Sequence, residues 1–336
     1  MKTITLIIIA LALTTFSFGQ RVVALHSAGT VTMFDATSPL VAAYNASVTG
    51  DTIYLPGGAF TPPPVFDKGL VIIGAGVHPD STIATFPTVI TANVTLGENA
   101  DNIHIEGIDM PYLTSASNVS INSFLIRRCK INNGVYLPGD LSNPTIGSAF
   151  IGNILIGNLR IGNMTNSIFS NNLIERNLED SEANTFENNV FIYTGNTAYF
   201  IFEDSDNNVI SSNVFVNNTA YLISGTGNIF QYNLIETTAG YGTAPISTGN
   251  YTGIPHGDIL VNQTGSNLDF THDYHLVSPA TYLGSDGSEV GIYGGTFPFK
   301  DGAVPMNPHI RSVSISPTTN AAGELSIDIT VGAQDN

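Results

Sequence analysis

Between residues 124 and 236 one short phrase recurs six times: an apolar residue, two variable residues, asparagine, one variable residue, and a second apolar residue. The copies centre on Cys129, Asn153, Asn172, Asn189, Asn213 and Asn233, with cysteine standing in for asparagine in the first. Three positions before the centres stand Ile126, Phe150, Phe169, Phe186, Ile210 and Phe230. Two positions after them stand Ile131, Leu155, Ile174, Phe191, Phe215 and Ile235. The centres lie 24, 19, 17, 24 and 20 residues apart. A unit this short cannot bury its own apolar face, so its repetition predicts a solenoid in which each copy is one turn stacked on the next.

Composition agrees and sets the compartment. Only 11% of the 336 residues are charged, and the abundance of Gly, Asn, Ser and Thr favours short strands joined by turns. A net charge of −17 with 10 Lys and Arg argues against nucleic acid, whose phosphates need basic patches, and against an anionic membrane surface. Neutral sugars and cations remain compatible partners. At the N-terminus Lys2, the apolar run Ile4 to Leu13 and the small-residue stretch Ser17-Phe18-Gly19 read as an export signal over residues 1–19. The run is too short for a membrane span, so the mature chain is expected to be secreted, at the cell surface or periplasmic, with no transmembrane segment. One cysteine rules out internal disulfides, which leaves stability to stacking.

Asparagine also recurs five residues before the centres, at Asn184, Asn208 and Asn228, and five after two of them, at Asn177 and Asn218. Corners are thus expected about every five residues, with short inward-alternating strands between them. Asparagine tolerates the left-handed backbone region better than other non-glycine residues, so the central asparagines are expected to take that conformation. Stacked about 4.8 Å apart, their amides would hydrogen-bond along the solenoid. This ladder is read as structural, and Cys129 as its buried substitute rather than a reactive thiol.

Several stretches carry a resemblance. They are Gly50-Asp51-Thr52-Ile53-Tyr54-Leu55-Pro56-Gly57-Gly58, then Lys68-Gly69-Leu70-Val71-Ile72-Ile73-Gly74-Ala75-Gly76, and later Asp258 to Asn262, Asp273 to Ala280 and Glu289 to Gly295. With the repeat, they resemble the right-handed parallel β-helix proteins of the pectate-lyase-like superfold. That resemblance implies an all-β fold of about eleven coils over residues 51–300, with the last three stretches as its final coils. It also implies an N-terminal strand and capping helix within residues 20–50, with Pro39 at a first helical position. Residues 301–336 read as a two-strand tail.

In that superfold the sheet preceding the asparagine corner usually floors the substrate cleft. Arg160, Glu179, Asp180, Glu203 and Asp204 are expected there in neighbouring coils, beside Tyr199 and Tyr221. Carboxylates so placed suit Ca²⁺, and tyrosine rings suit a sugar face; a solvated acidic face is the simpler alternative. The cluster Arg127-Arg128-Lys130 is the only basic one; a solvated corner or pairing with Glu106 is expected for it before contact with an acidic polysaccharide. His272-Asp273-Tyr274-His275 has chelating spacing but lacks a third ligand. The Asn-Thr-Asp, Asp-Asp and Gly-His-Gly motifs of the superfold's hydrolases are absent. The expected function is binding of extracellular polysaccharide or a role at the cell surface. The alternatives are a lyase acting on a uronate-containing glycan, with Arg160 or the basic cluster in its cleft, and a purely structural or adhesion protein.

Overall fold

A computed structural model describes residues 21–192, 200–216, 222–237, 240–306 and 308–332; the expected export signal, residues 1–19, lies outside them. The expected parallel β-helix is the fold observed, an all-β solenoid with about nine turns rather than eleven. The parallel part of its first sheet starts at Thr52–Tyr54 and Val71–Ile73. It continues through His104–Glu106, Leu125–Arg127, Ala149–Ile151, Ile168–Ser170, Thr185–Glu187, Val209–Ser211 and Ile229–Gln231 to Ile246–Thr248. Its central residues Ile126, Phe150, Phe169, Phe186, Ile210 and Phe230 pair in register and are fully buried. After the corner, a second face runs through Ile154–Leu155, Leu173–Ile174, Val190–Ile192, Val214–Val216 and Leu234–Ile235 to Tyr251–Thr252. A third face carries Asn158–Arg160, Leu178–Glu179 and Phe202–Glu203, and the long strands Asp109–Ser115 and Lys130–Tyr136 cross from the second face into it.

Inside, like stacks on like because parallel in-register pairing sets identical positions one strand spacing apart. Phe150, Phe169 and Phe186 stack with centroids 4.7 and 4.8 Å apart, and Phe191 stacks on Phe215 at 4.8 Å. The base is closed by the expected helix, Pro39–Ala46, which buries Leu40 and Ala43. The hairpin Val23–Ser27 and Thr30–Phe34 extends the first sheet beside it.

The asparagine ladder is built as the spacing predicts. The backbone N–H groups of Cys129, Asn153, Asn172, Asn189 and Asn213 donate to the Oδ1 of the next centre at 2.9–3.0 Å. Each amide Nδ2 donates to the next Oδ1 and to a carbonyl of the preceding coil, as Asn189 does to Asn213 at 2.9 Å and to Phe169 at 2.8 Å. Asn250 adds one rung beyond the six, accepting from Asn233. A second ladder, Asn184–Asn208–Asn228, occupies the other end of the first sheet.

The left-handed residues are not the ladder asparagines. They stand one position earlier: Arg128, Gly152, Asn171, Asn188, Ser212 and Tyr232, with φ between 50° and 65°. The turn must be made just before the ladder residue, because the ladder residue's own N–H has to point along the stack to the next Oδ1.

Cys129 is the ladder's lower end. Its thiol is fully buried, lies 3.3 Å from the Arg127 carbonyl, and is pushed by burial to a pKa of about 12. The folded protein should therefore resist a thiol-reactive dye until it unfolds. An unfolded thiol ionises near 9.0 whereas the folded one holds its proton to about 12. Between those values the unfolded state binds fewer protons, so stability should fall as pH rises through that window. Denaturation of Cys129→Ala beside the parent chain at pH 7 and pH 10 checks this; an equal pH dependence of the two would refute it.

The three stretches expected as final coils are not coils. The parallel strands end at Tyr251–Thr252, and residues 254–306 turn back as a strap along the outside of the second face. Leu260–Asn262 and Asp273–Leu276 pair antiparallel within it. The reason lies one position after each of the five asparagine centres from Asn153 to Asn233. Ile154, Leu173, Val190, Val214 and Leu234 point outward, are apolar, and are buried against strap residues Ile259, Leu260, Tyr274, Leu276, Val290 and Ile292. Had these stretches continued as coils, that face would have been left in water. The corner side chains fasten the strap: Asn171 Nδ2 donates to the carbonyls of Ile292 and Gly294 at 2.8 Å, and Asn188 Nδ2 to those of Glu289 and Gly291. The strap ends far down the solenoid, where Ser81 Oγ donates to the Gly302 carbonyl. The tail that follows is the expected hairpin, His309–Ile315 with Ile327–Gly332, and Val313, Ile315, Ile327, Ile329 and Val331 are exposed.

Candidate ligand-binding face

The third face presents two outward columns. One runs Thr95, Thr114, Tyr136, Arg160, Glu179 and Glu203, each in register with the next. The other runs Tyr112, Gly134 and Asn158. The register expected for Arg160, Glu179 and Glu203 is thus present, but their charges are engaged with one another. Arg160 Nε donates to Glu179 Oε2. Asn158 and Asn177 donate to Glu179 Oε1 at 3.0 Å, and Asn177 reaches Glu203 Oε2 at 3.4 Å. The bond to Glu179 and its negative charge hold the exposed Arg160 guanidinium more firmly protonated than usual.

Asp180 and Asp204 occupy left-handed corners just beyond this row, with φ of 62° and 47°. Burial, with the neighbouring Glu179 charge, raises the Asp180 carboxyl above its ordinary range, and Asp204 is tied to Ser224, whose Oγ accepts its N–H at 2.8 Å. Tyr199 and Tyr221 lie outside the described residues. Among the described residues no three His, Cys, Asp or Glu side chains converge as a metal site, and no helix is long and apolar enough to cross a membrane.

What the spacing does not reveal is a trough one coil lower. It has a volume of about 550 Å³ and is lined by Tyr112, Asn132, Asn133, Tyr136, Asn158, Arg160, Glu175 and Arg176. Two glycines make its floor. A Cβ on Gly134 would sit 2.5 Å from the Asn158 carbonyl oxygen, and one on Gly157 would sit 1.9 Å from that of Asn133. With no side chains there, the rings of Tyr112 and Tyr136, 37% and 44% exposed, form walls around bare backbone. Asn132 is fixed by Asp109, which accepts from its Nδ2 at 2.5 Å.

A second cavity, about 480 Å³, lies between strap and second face and contains His78, Phe270, His272, Asp273, Tyr274, His275, Tyr293 and Asp301. Its histidines do not act as a chelating pair. His275 Nδ1 lies 2.7 Å from Asp273 Oδ1 and its ring stacks on Tyr293 at 3.7 Å, while His272 sits edge-on to Tyr274. Burial lowers the His78 pKa and pushes Tyr274 up to about 12.

The basic cluster is divided among three surroundings. Arg128 pairs with Glu106 at 3.4 Å as expected, Lys130 with Asp109 at 3.4 Å, and Arg127 Nη1 points at Met306 Sδ. No protein-family model, curated protein or solved structure matches this chain; its fold is established by its own geometry, a parallel β-solenoid.

Proposed function

We propose that this protein is an exported, pectate-lyase-like β-helix that binds extracellular polysaccharide in the trough of the third face. The observation that carries the reading is the pair of exposed rings, Tyr112 and Tyr136, flanking a glycine floor edged by Asn133, Asn158 and Arg160. Tyrosine offers a sugar an apolar face and a hydroxyl at once, and amides and a guanidinium supply donors for ring hydroxyls or a carboxylate. An open trough along stacked coils suits a chain better than a small compact ligand.

Binding is favoured over lyase chemistry by the state of Arg160. A base must give up its proton before it can take one, and Glu179 holds Arg160 charged. Glycan-array screening followed by calorimetry tests the proposal. Tyr136→Ala and Tyr112→Ala should each weaken binding of the selected polysaccharide about tenfold without shifting the melting temperature, because both rings project from the surface. An array without enrichment, or Tyr variants that bind normally, would sink it.

A further inference from the structure

A third cavity, of about 580 Å³, is enclosed where the strap's last stretch passes the lower coils, and is lined by Arg127, Arg128, Gly152, Phe297, Phe299 and Lys300 among others. We propose that it binds a small organic carboxylate with a flat apolar body, independently of the polysaccharide trough.

The chain has 10 Lys and Arg against a net charge of −17, yet three of those cations line this one cavity and no carboxylate does. Glu106 is the one carboxylate near them: it ion-pairs with Arg128 Nη1 at 3.4 Å, accepts the Met306 N–H at 2.9 Å, and its charge also reaches Arg127 without an ion pair. Neither Arg127 nor Lys300 has a carboxylate within ion-pairing distance among the described residues. Asp301, next to Lys300 in sequence, takes the Tyr293 hydroxyl instead and lines the histidine cavity.

Arg127 adds an independent sign. Its Nε is buried and has no hydrogen-bond partner among the described residues, while its Nη1 faces only a thioether, a weak acceptor. A buried guanidinium N–H without an acceptor is costly, and an oxyanion reaching the same guanidinium would offset that cost. Cations alone would suit an inorganic anion. The cavity, however, is also lined by Phe297, 43% exposed, and Phe299, and its volume suits a ring-sized molecule.

Calorimetry on the full chain with benzoate, glucuronate, acetate and sulfate, beside neutral benzyl alcohol and glucose, decides the matter. The expected result is saturable binding of benzoate, at least tenfold tighter than of benzyl alcohol and weakened by added salt. Glucuronate, a carboxylate on a polar ring, should bind more weakly, and tighter binding of glucuronate than of benzoate would refute the flat apolar body. Lys300→Gln and Arg127→Gln should each weaken binding at least tenfold, Arg127→Lys less, since lysine restores the charge without the fork. Lys300→Gln lies on the surface strap, so its melting temperature should match the parent and keep the test valid if Arg127→Gln misfolds. Absence of saturation with every carboxylate, tighter binding of sulfate than of either ring acid, or unchanged binding by Lys300→Gln overturns the proposal. Tyr136→Ala should leave this binding intact, which separates its failure from that of the polysaccharide trough.

Discussion

Asn189→Ala should cost about 3–5 kcal/mol of folding stability, against about 1 kcal/mol for Asn250→Ala. Asn189 sits in the middle of the ladder with no exposure, and its amide serves four bonds. It accepts from the backbone N–H and the Nδ2 of Asn172 and donates to Phe169 and Asn213. Alanine would remove all four bonds. Asn213 Oδ1 keeps the Asn189 backbone N–H and Asn172 Nδ2 keeps Phe150, but the Asn172 N–H loses its acceptor in a dry interior, where each uncompensated group costs about 1–3 kcal/mol, less whatever relaxation recovers. Asn250 makes the same kinds of bond at the ladder's open end but is only half-buried, so water can replace what it loses. Urea unfolding of the two variants measures the difference. Equal midpoints would mean that the ladder's interior contributes no more than its end, and that the phenylalanine stacks alone hold the register.

Val214→Asp is the second large effect. Val214 lies under the strap with no exposure, and Gly291 crosses so close that a Cβ there would come within 2.9 Å of Val214 Cγ2. The Gly291 N–H also donates to the Ser212 carbonyl at 2.7 Å. An uncompensated carboxylate at this contact costs about 3–5 kcal/mol if the strap stays down. The expected escape is detachment: the variant should bind a hydrophobic dye and be cut by protease within residues 254–300, while the coils keep their β-sheet circular dichroism. A protease-resistant strap in Val214→Asp would show that the fastening asparagines, Asn171 and Asn188, hold it without the apolar contact.

These two sites mark where sequence and structure part. The apolar positions three before and two after each centre lead straight to the buried stacks, because an in-register parallel repeat leaves interior residues no other place. The position one after each asparagine centre carries Ile154, Leu173, Val190, Val214 and Leu234, an apolar row on what should be a wet face. That row is the legible trace of the strap. It is masked because the strap strand Asp273–Leu276 alternates apolar and polar as a coil strand does; a period of two reports one buried face, not whether it faces the lumen or lies on the outside. Spacing places the left-handed corners one residue late, because only some of the true corner residues are Gly or Asn, whereas Arg128, Ser212 and Tyr232 adopt the same backbone under tertiary constraint.

The acidic row at Glu179 and Glu203 could be placed from spacing alone, but its mutual engagement could not. The trough at Tyr112 and Tyr136 had no sequence signal at repeat spacing. It depends on a register shift between Ile131 and Gly134 and on two missing side chains, neither of which leaves a periodic mark.

A solenoid ordinarily behaves as a row of dominoes, each turn stabilised by its neighbours alone, so that its ends can fray without disturbing the middle. Here residues 254–306 run from the last coil to Ser81 and Glu106 near the first, like a bolt passed along a stack of plates. An opening at either end must loosen the bolt, and loosening it uncovers every plate it touches. The chain is therefore expected to unfold in one step instead of peeling, and to complete its folding late, since the bolt has nothing to grip until the plates are stacked.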